Sequence, residues 1–170
     1  KPMEFRVLTK AMELYPFQKL YFTCTNYDAP KGVFEDQQIA KEELKNYHAL
    51  LVTGIASPKQ MEHDLKPMVK SMQSLSFGDH HRFKNKDITR INEAFEQMPE
   101  PRLIITTEKD AVRLKETDGL YEIVKKSIYE LPIKVSFMLE QEDIFNDKII
   151  SYVRKNSRNS ILAKRKDDNK

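Results

Sequence analysis

Short apolar runs alternate with stretches of helical periodicity along most of this chain, and that alternation constrains the fold more than any other feature. His48–Thr53, Gln73–Phe77 and Arg102–Thr106 read as strands, and each is followed by polar loop residues and then a helical pattern. Strands separated by helices must be joined by crossovers, which are right-handed, so the sheet is expected to be mainly parallel with helices on its faces. The predicted fold class is therefore α/β. Two further strands are predicted at Leu20–Thr25 and Ile133–Leu139.

The helices carry their own signals. Pro2 opens a pattern through Met3, Val7, Leu8, Ala11 and Leu14 with no strand before it, so the chain is expected to be a piece of something longer. Ser57-Pro58-Lys59-Gln60 reads as a capping box with Ser57 as N-cap, and Pro67 should kink or shorten the helix after it. Asp87 can cap a helix buried through Ile88, Ile91, Phe95 and Met98. Glu108–Leu114 and Asp143–Lys155 complete the set. The expected organisation is one body over residues 1–158, in which 26–46 forms a linker or hairpin, followed by a disordered basic tail over 159–170.

Composition excludes several classes. The chain has 170 residues, 39% hydrophobic and 32% charged, which suits a soluble globular domain. No window approaches the roughly 20 apolar residues of a membrane span. The net charge of +3 owes much to Lys164-Arg165-Lys166, too small and too terminal to argue for nucleic acid. Cys24 is the only cysteine, reads as structural within its strand, and suits a reducing compartment.

Three strand ends carry the chemistry. Thr53-Gly54-Ile55-Ala56-Ser57-Pro58 offers close backbone approach at Gly54 and, after Ser57, helix N–H groups that suit an anion. Phe77-Gly78-Asp79-His80-His81 sets a carboxylate beside two imidazoles, residue types that can take or hold a proton near neutrality. Adjacent histidines point in different directions, so one of His80 and His81 is expected to be structural. Thr106-Thr107-Glu108-Lys109-Asp110 packs hydroxyls, carboxylates and a lysine together. In a parallel sheet these ends face one way and would converge on one crevice. Zinc wants three or four ligands, and Asp79, His80 and His81 are too adjacent to supply them, while His48 and His63 form no second pair. No metal site is expected in this chain.

Read in order, Thr53-Gly54-Ile55-Ala56 with Pro58, then Phe77 with Asp79-His80-His81, Phe83 and Asp87, then Thr106-Thr107-Glu108-Lys109-Asp110-Ala111-Val112 with Leu114, resemble the C-terminal half of the tetraacyldisaccharide 4'-kinases, the lipid A 4'-kinases. The resemblance runs from about Phe22 to Leu114. Gly78 stands where that family often has proline, and Ser57 where asparagine is common.

This resemblance implies part of a P-loop nucleotide-binding fold and transfer of the ATP γ-phosphate to the 4'-hydroxyl of a lipid-linked glucosamine disaccharide. It also implies a place at the cytoplasmic face of a bacterial inner membrane. His80 would help activate the sugar hydroxyl together with an acidic residue of the N-terminal half. Asp79 would orient His80 or act on the other side of the site. Gly54, Ser57, His81, Thr106, Glu108, Lys109 and Asp110 would lie near substrate or nucleotide. The chain has only four glycines and no Gly-x-x-x-x-Gly-Lys-Ser/Thr. ATP and Mg2+ are thus expected to bind mainly to the N-terminal half, as is the membrane surface, and this soluble piece is expected to be inactive alone. The alternatives are a manganese-dependent phosphoesterase of the Asp-His-His type, and a non-enzymatic α/β module.

Overall fold

A computed structural model describes the backbone of residues 2–167 and the side chains of residues 4–157. The chain divides into two units, Tyr27–Lys134 and Lys1–Asn26 with Val135–Lys170. This replaces the single body expected over 1–158.

The Tyr27–Lys134 unit is built on a five-stranded sheet. Its strands are β2 (Lys31–Gly32), β3 (His48–Thr53), β4 (Ser71–Ser76), β5 (Arg102–Thr106) and β6 (Ile128–Glu130), in the order β2-β6-β5-β3-β4. The pairs β3–β4, β3–β5 and β5–β6 are parallel, and only the two-residue edge strand β2 is antiparallel. The architecture is the mainly parallel α/β sheet that the alternation of runs and helical patterns predicts. Central β3 is buried from Ala49 to Thr53, as a strand covered on both faces must be.

Alternate residues of β3 feed two cores. Leu50 and Val52 pack with Ile104 of β5, with Ile88, Ile91 and Phe95 of α3 (Asn85–Glu96), with Leu114 of α4 (Glu108–Lys115) and with Val124 of α5 (Glu122–Lys125). Ala49 and Leu51 pack with Leu103, Ile105, Tyr129 and, from α2 (Lys59–Leu65), Met61 and Leu65. Pro67 ends α2, and the chain continues as a 3-10 turn over Lys66–Met68.

Several elements differ from the sequence reading. The segment 26–46 is a working part of the domain: β2 joins the sheet, Lys41–Asn46 forms a 3-10 helix, and Tyr27, Val33, Ile39 and Leu44 are buried. Strand β6 has only three residues, too few for a period to show. The runs predicted as first and last strands are β1 (Thr23–Tyr27) and β7 (Ile133–Phe137), which pair in a separate two-stranded sheet. Cys24 is exposed there, not buried in a core strand.

In the other unit, α1 spans Pro2–Ala11 and α6 spans Glu142–Asp167. The stretch 159–167, expected as disordered tail, is therefore helical. It contains no glycine or proline and several good helix formers, including Leu162, Ala163 and Lys164. Residues 168–170 of that expected tail lie outside the described residues.

Candidate functional site

Because β4, β3 and β5 are parallel neighbours, the three chemistry-bearing segments leave the same edge of the sheet. Thr53, Ser76 and Thr106 close their strands, with Thr53 in register with Ser76 and Val52 with Thr106. The loops beyond these residues meet through Gly54, Asp110 and His81.

Asp110 is the centre of the arrangement and is fully buried. Its Oδ2 accepts from the Gly54 N–H and from the Thr107 hydroxyl, both at 2.8 Å. Thr107 is the N-cap of α4, and its Oγ1 in turn accepts from the Asp110 N–H at 3.1 Å. The second carboxylate oxygen, Oδ1, accepts from Arg113 at 2.9 Å. Both oxygens are thus committed, so a buried charge is compensated as it must be. A Cβ at Gly54 would stand 3.0 Å from Asp110 Oδ1 and 3.3 Å from the His81 Cβ. The close approach that Gly54 permits is that of these two side chains.

The Asp79-His80-His81 run forms a tight turn, closed by the His81 N–H on the Gly78 carbonyl at 3.2 Å. The two histidines part company there. His81 is stacked on Phe77 at 4.9 Å and meets Phe83 edge-on, while its Nε2 lies 2.9 Å from Asp87 Oδ2. Asp87 sits at the third position of α3 and also accepts from the Lys84 N–H at 2.9 Å. Burial would raise its pKa, but the Lys84 N–H and His81 outweigh that and hold the carboxyl below its usual range. Asp87 therefore acts from inside the first turn and not as the N-cap residue.

His80 projects outward, with its side chain 69% exposed. Its φ is +56°, in the left-handed region that costs most residues strain. Asp79 Oδ1 accepts from the His80 N–H at 3.0 Å, and Asp79 Oδ2 lies 3.6 Å from His80 Nε2. On the other side Arg113 reaches to 3.5 Å from His80 Nδ1. A cavity of about 640 Å³ opens beside the ring, lined by His80, Arg82, Phe83, Arg113, Glu116 and Thr117. This sets an exposed imidazole between a carboxylate and a guanidinium, beside a cavity lined by a second arginine, residue types suited to proton transfer and to an anionic ligand.

The remaining candidates are dispersed. Thr106 is buried and donates to the Val52 carbonyl at 2.8 Å, inside the sheet. Glu108 and Lys109 are exposed on the first turn of α4. Ser57 is exposed and does not cap α2: Pro58 takes the N-cap position with helical angles, and α2 starts at Lys59. Arg82 and Arg113 are the residues that sequence reasoning missed. For Arg113 a signal existed, since it lies three residues after Asp110 on a helix, where opposite charges meet.

The family model for tetraacyldisaccharide-1-P 4'-kinase matches residues 7–154. The tetraacyldisaccharide 4'-kinase of Phocaeicola vulgatus is 49% identical over 165 residues, 95% of this chain and 45% of that protein. That of Bacteroides thetaiotaomicron is 42% identical, over 97% of this chain and 46% of its own length. The chain thus spans somewhat under half the length of these curated relatives. Among solved structures, LpxK from Aquifex aeolicus in complex with ATP is similar at a TM-score of 0.51 and 17% identity, over 83% of this chain and 38% of that one. At that identity the likeness is one of fold.

Proposed function

The chain belongs to the tetraacyldisaccharide-1-P 4'-kinase family, and on that premise we propose that it supplies the acceptor-activating part of such a kinase. His80 is the base at the sugar hydroxyl, and the single observation that carries this role is its exposed ring held between Asp79 and Arg113 beside the basic cavity. The reaction moves the γ-phosphoryl group of ATP to the 4'-hydroxyl of a lipid-linked glucosamine disaccharide.

Phosphoryl transfer asks a protein chiefly for positioning and for positive charge around the phosphoryl oxygens, with a modest base at the nucleophile. Asp79, bonded to the backbone of His80 and close to its ring, orients that ring. Arg82 and Arg113 offer planar donors to phosphoryl oxygens. Asp110, with both oxygens bonded internally, holds Arg113 and the Gly54 loop and does not meet substrate. His81, with Asp87, Phe77 and Phe83, anchors the turn.

The Mg2+ that would accompany ATP is assigned outside this chain, as the family resemblance implies. Among the described residues no three His, Cys, Asp or Glu side chains are grouped to hold a metal ion. On this reading the metal and the ATP phosphates are held mainly by the half of the relatives that this chain does not span. Contact with the inner-membrane surface is assigned there too. Among the described residues no helix is long and apolar enough to cross a membrane.

The test is a chimera in which this chain replaces the matching segment of the Phocaeicola vulgatus kinase. The chimera is expected to phosphorylate the tetraacylated disaccharide, and His80→Ala is expected to lower kcat by roughly 10²–10⁴-fold with little change in KM for ATP. The chain alone is expected to show no turnover. Equal loss of ATP binding and turnover in the variant would mean that His80 is structural.

A further inference from the structure

We propose that Arg113 caps the base: it occupies His80 Nδ1 in the resting site, and a phosphate group entering the adjacent cavity draws it away, freeing Nδ1 for the hydroxyl proton. This rests on the reading of His80 as the base.

Arginine carries only donors. Its contact at 3.5 Å therefore makes His80 Nδ1 the acceptor, and the neutral ring then carries its proton on Nε2. That nitrogen faces Asp79 Oδ2 at 3.6 Å, a carboxylate that favours an N–H there. In this state the ring has no lone pair open to a sugar hydroxyl. Nε2–H cannot accept a proton, so the accepting nitrogen is Nδ1, and it becomes available only when Arg113 moves.

The geometry allows that movement. One guanidinium nitrogen of Arg113 is fixed at 2.9 Å to the fully buried Asp110 carboxylate. The other contact, to His80, is at the long limit of hydrogen bonding and to a neutral acceptor. An anionic phosphate oxygen binds a guanidinium more strongly than a neutral nitrogen does. The charged residues lining the cavity on this side are two arginines, Arg82 and Arg113, and one acidic residue, Glu116. Among the described residues of this chain, the charged groups near His80 are Asp79 and Arg82 from its own loop, and Arg113 and Glu116 from α4 and its C-terminal end.

The step then balances. The acceptor O–H bond breaks with its proton passing to Nδ1, and the oxygen's electron pair forms the new bond to the γ-phosphorus of ATP. The bond from that phosphorus to the bridging oxygen breaks, ADP leaves with its electrons, and the imidazolium later returns its proton to solvent. Arg113 is a positioning residue here, and it makes the base available only when a phosphate is present.

The first experiment needs no catalysis. In the 170-residue chain with 15N-labelled histidine, the His80 ring nitrogens are expected to show a protonated Nε2 and a hydrogen-bonded Nδ1. Arg113→Lys, which keeps a cation beside Asp110, and Arg113→Met are each expected to abolish that Nδ1 signature. Titration of the unmodified chain with sodium tripolyphosphate, or with glucosamine 1-phosphate, should reproduce the change, and the probe that does so identifies whether a nucleotide-like or a sugar phosphate is recognised. An unchanged ring in the Arg113→Lys variant, or no response to either probe, would overturn the proposal without recourse to a variant that fails to fold. If His80→Ala leaves kcat intact in the chimera, the base assignment falls, while the ring-nitrogen result still stands or fails by itself.

Discussion

His80 concentrates the tension in this molecule. A bulky, non-glycine residue is held at φ +56° in an exposed turn, where relief would come from a glycine. The left-handed conformation costs an L-residue about 1–2 kcal/mol, most for β-branched side chains. His80→Val is accordingly expected to be about 1–2 kcal/mol less stable than His80→Gly in urea denaturation. Equal midpoints would mean that the turn relaxes at no cost and exerts no hold on the ring direction. Strain of this kind persists only where surrounding structure fixes the residue. Here the fixing contacts are the Asp79 carboxylate on the His80 N–H and the stacked His81 on the next position.

At the scale of elements, the starts of two helices do most of the positioning. The first turn of α4 closes a capping arrangement of the Thr-x-x-Asp kind, in which Asp110 also ties the helix to the end of β3 through Gly54. The first turn of α3 uses Asp87 to hold the Lys84 N–H and the His81 ring. A carboxyl whose pKa is depressed on folding adds stability above its unfolded value, and that stability is lost as pH falls through the folded value. The loss attributable to Asp87 therefore begins near its ordinary value of 3.8 and grows below it. Asp87→Asn is expected to be less stable than the unmodified chain at neutral pH and to show a shallower decline on acidification. Parallel acid profiles for the two chains would remove Asp87 from the acid response. The other end of α3 is held differently, by Arg102, which donates to the Glu96 carbonyl at 2.9 Å and lies over the Phe95 ring.

Across the whole molecule, the apolar interior lies in one unit. Among the described residues every buried hydrophobic side chain falls between Tyr27 and Leu131. Most of the exposed large ones, such as Leu8, Phe17, Ile144, Tyr152 and Val153, belong to the other unit. Because burial of apolar area is the main favourable term in folding, residues 27–134 alone are expected to fold cooperatively, with a thermal midpoint within a few degrees of the full chain by circular dichroism. A non-cooperative melt of 27–134 would show that the other unit is needed to complete the core.

Periodicity was enough to read the central strands β3 and β5, helices α3 and α4, and the parallel sense of the sheet, since a buried strand and an amphipathic helix leave repeating marks on the chain. Local order also sufficed to single out Asp79, His80, His81 and Asp110, because their residue types and spacing are visible without a fold. The pairing of β1 with β7 and the entry of Lys31–Gly32 into the sheet left no such mark. They join positions about a hundred residues apart, and only chain packing selects those partners. The division of labour between the two histidines was settled the same way. His81 and His80 are chemically identical neighbours, and it is the tertiary placement of Phe77, Asp87 and Arg113 that packs one ring away and leaves the other at the cavity.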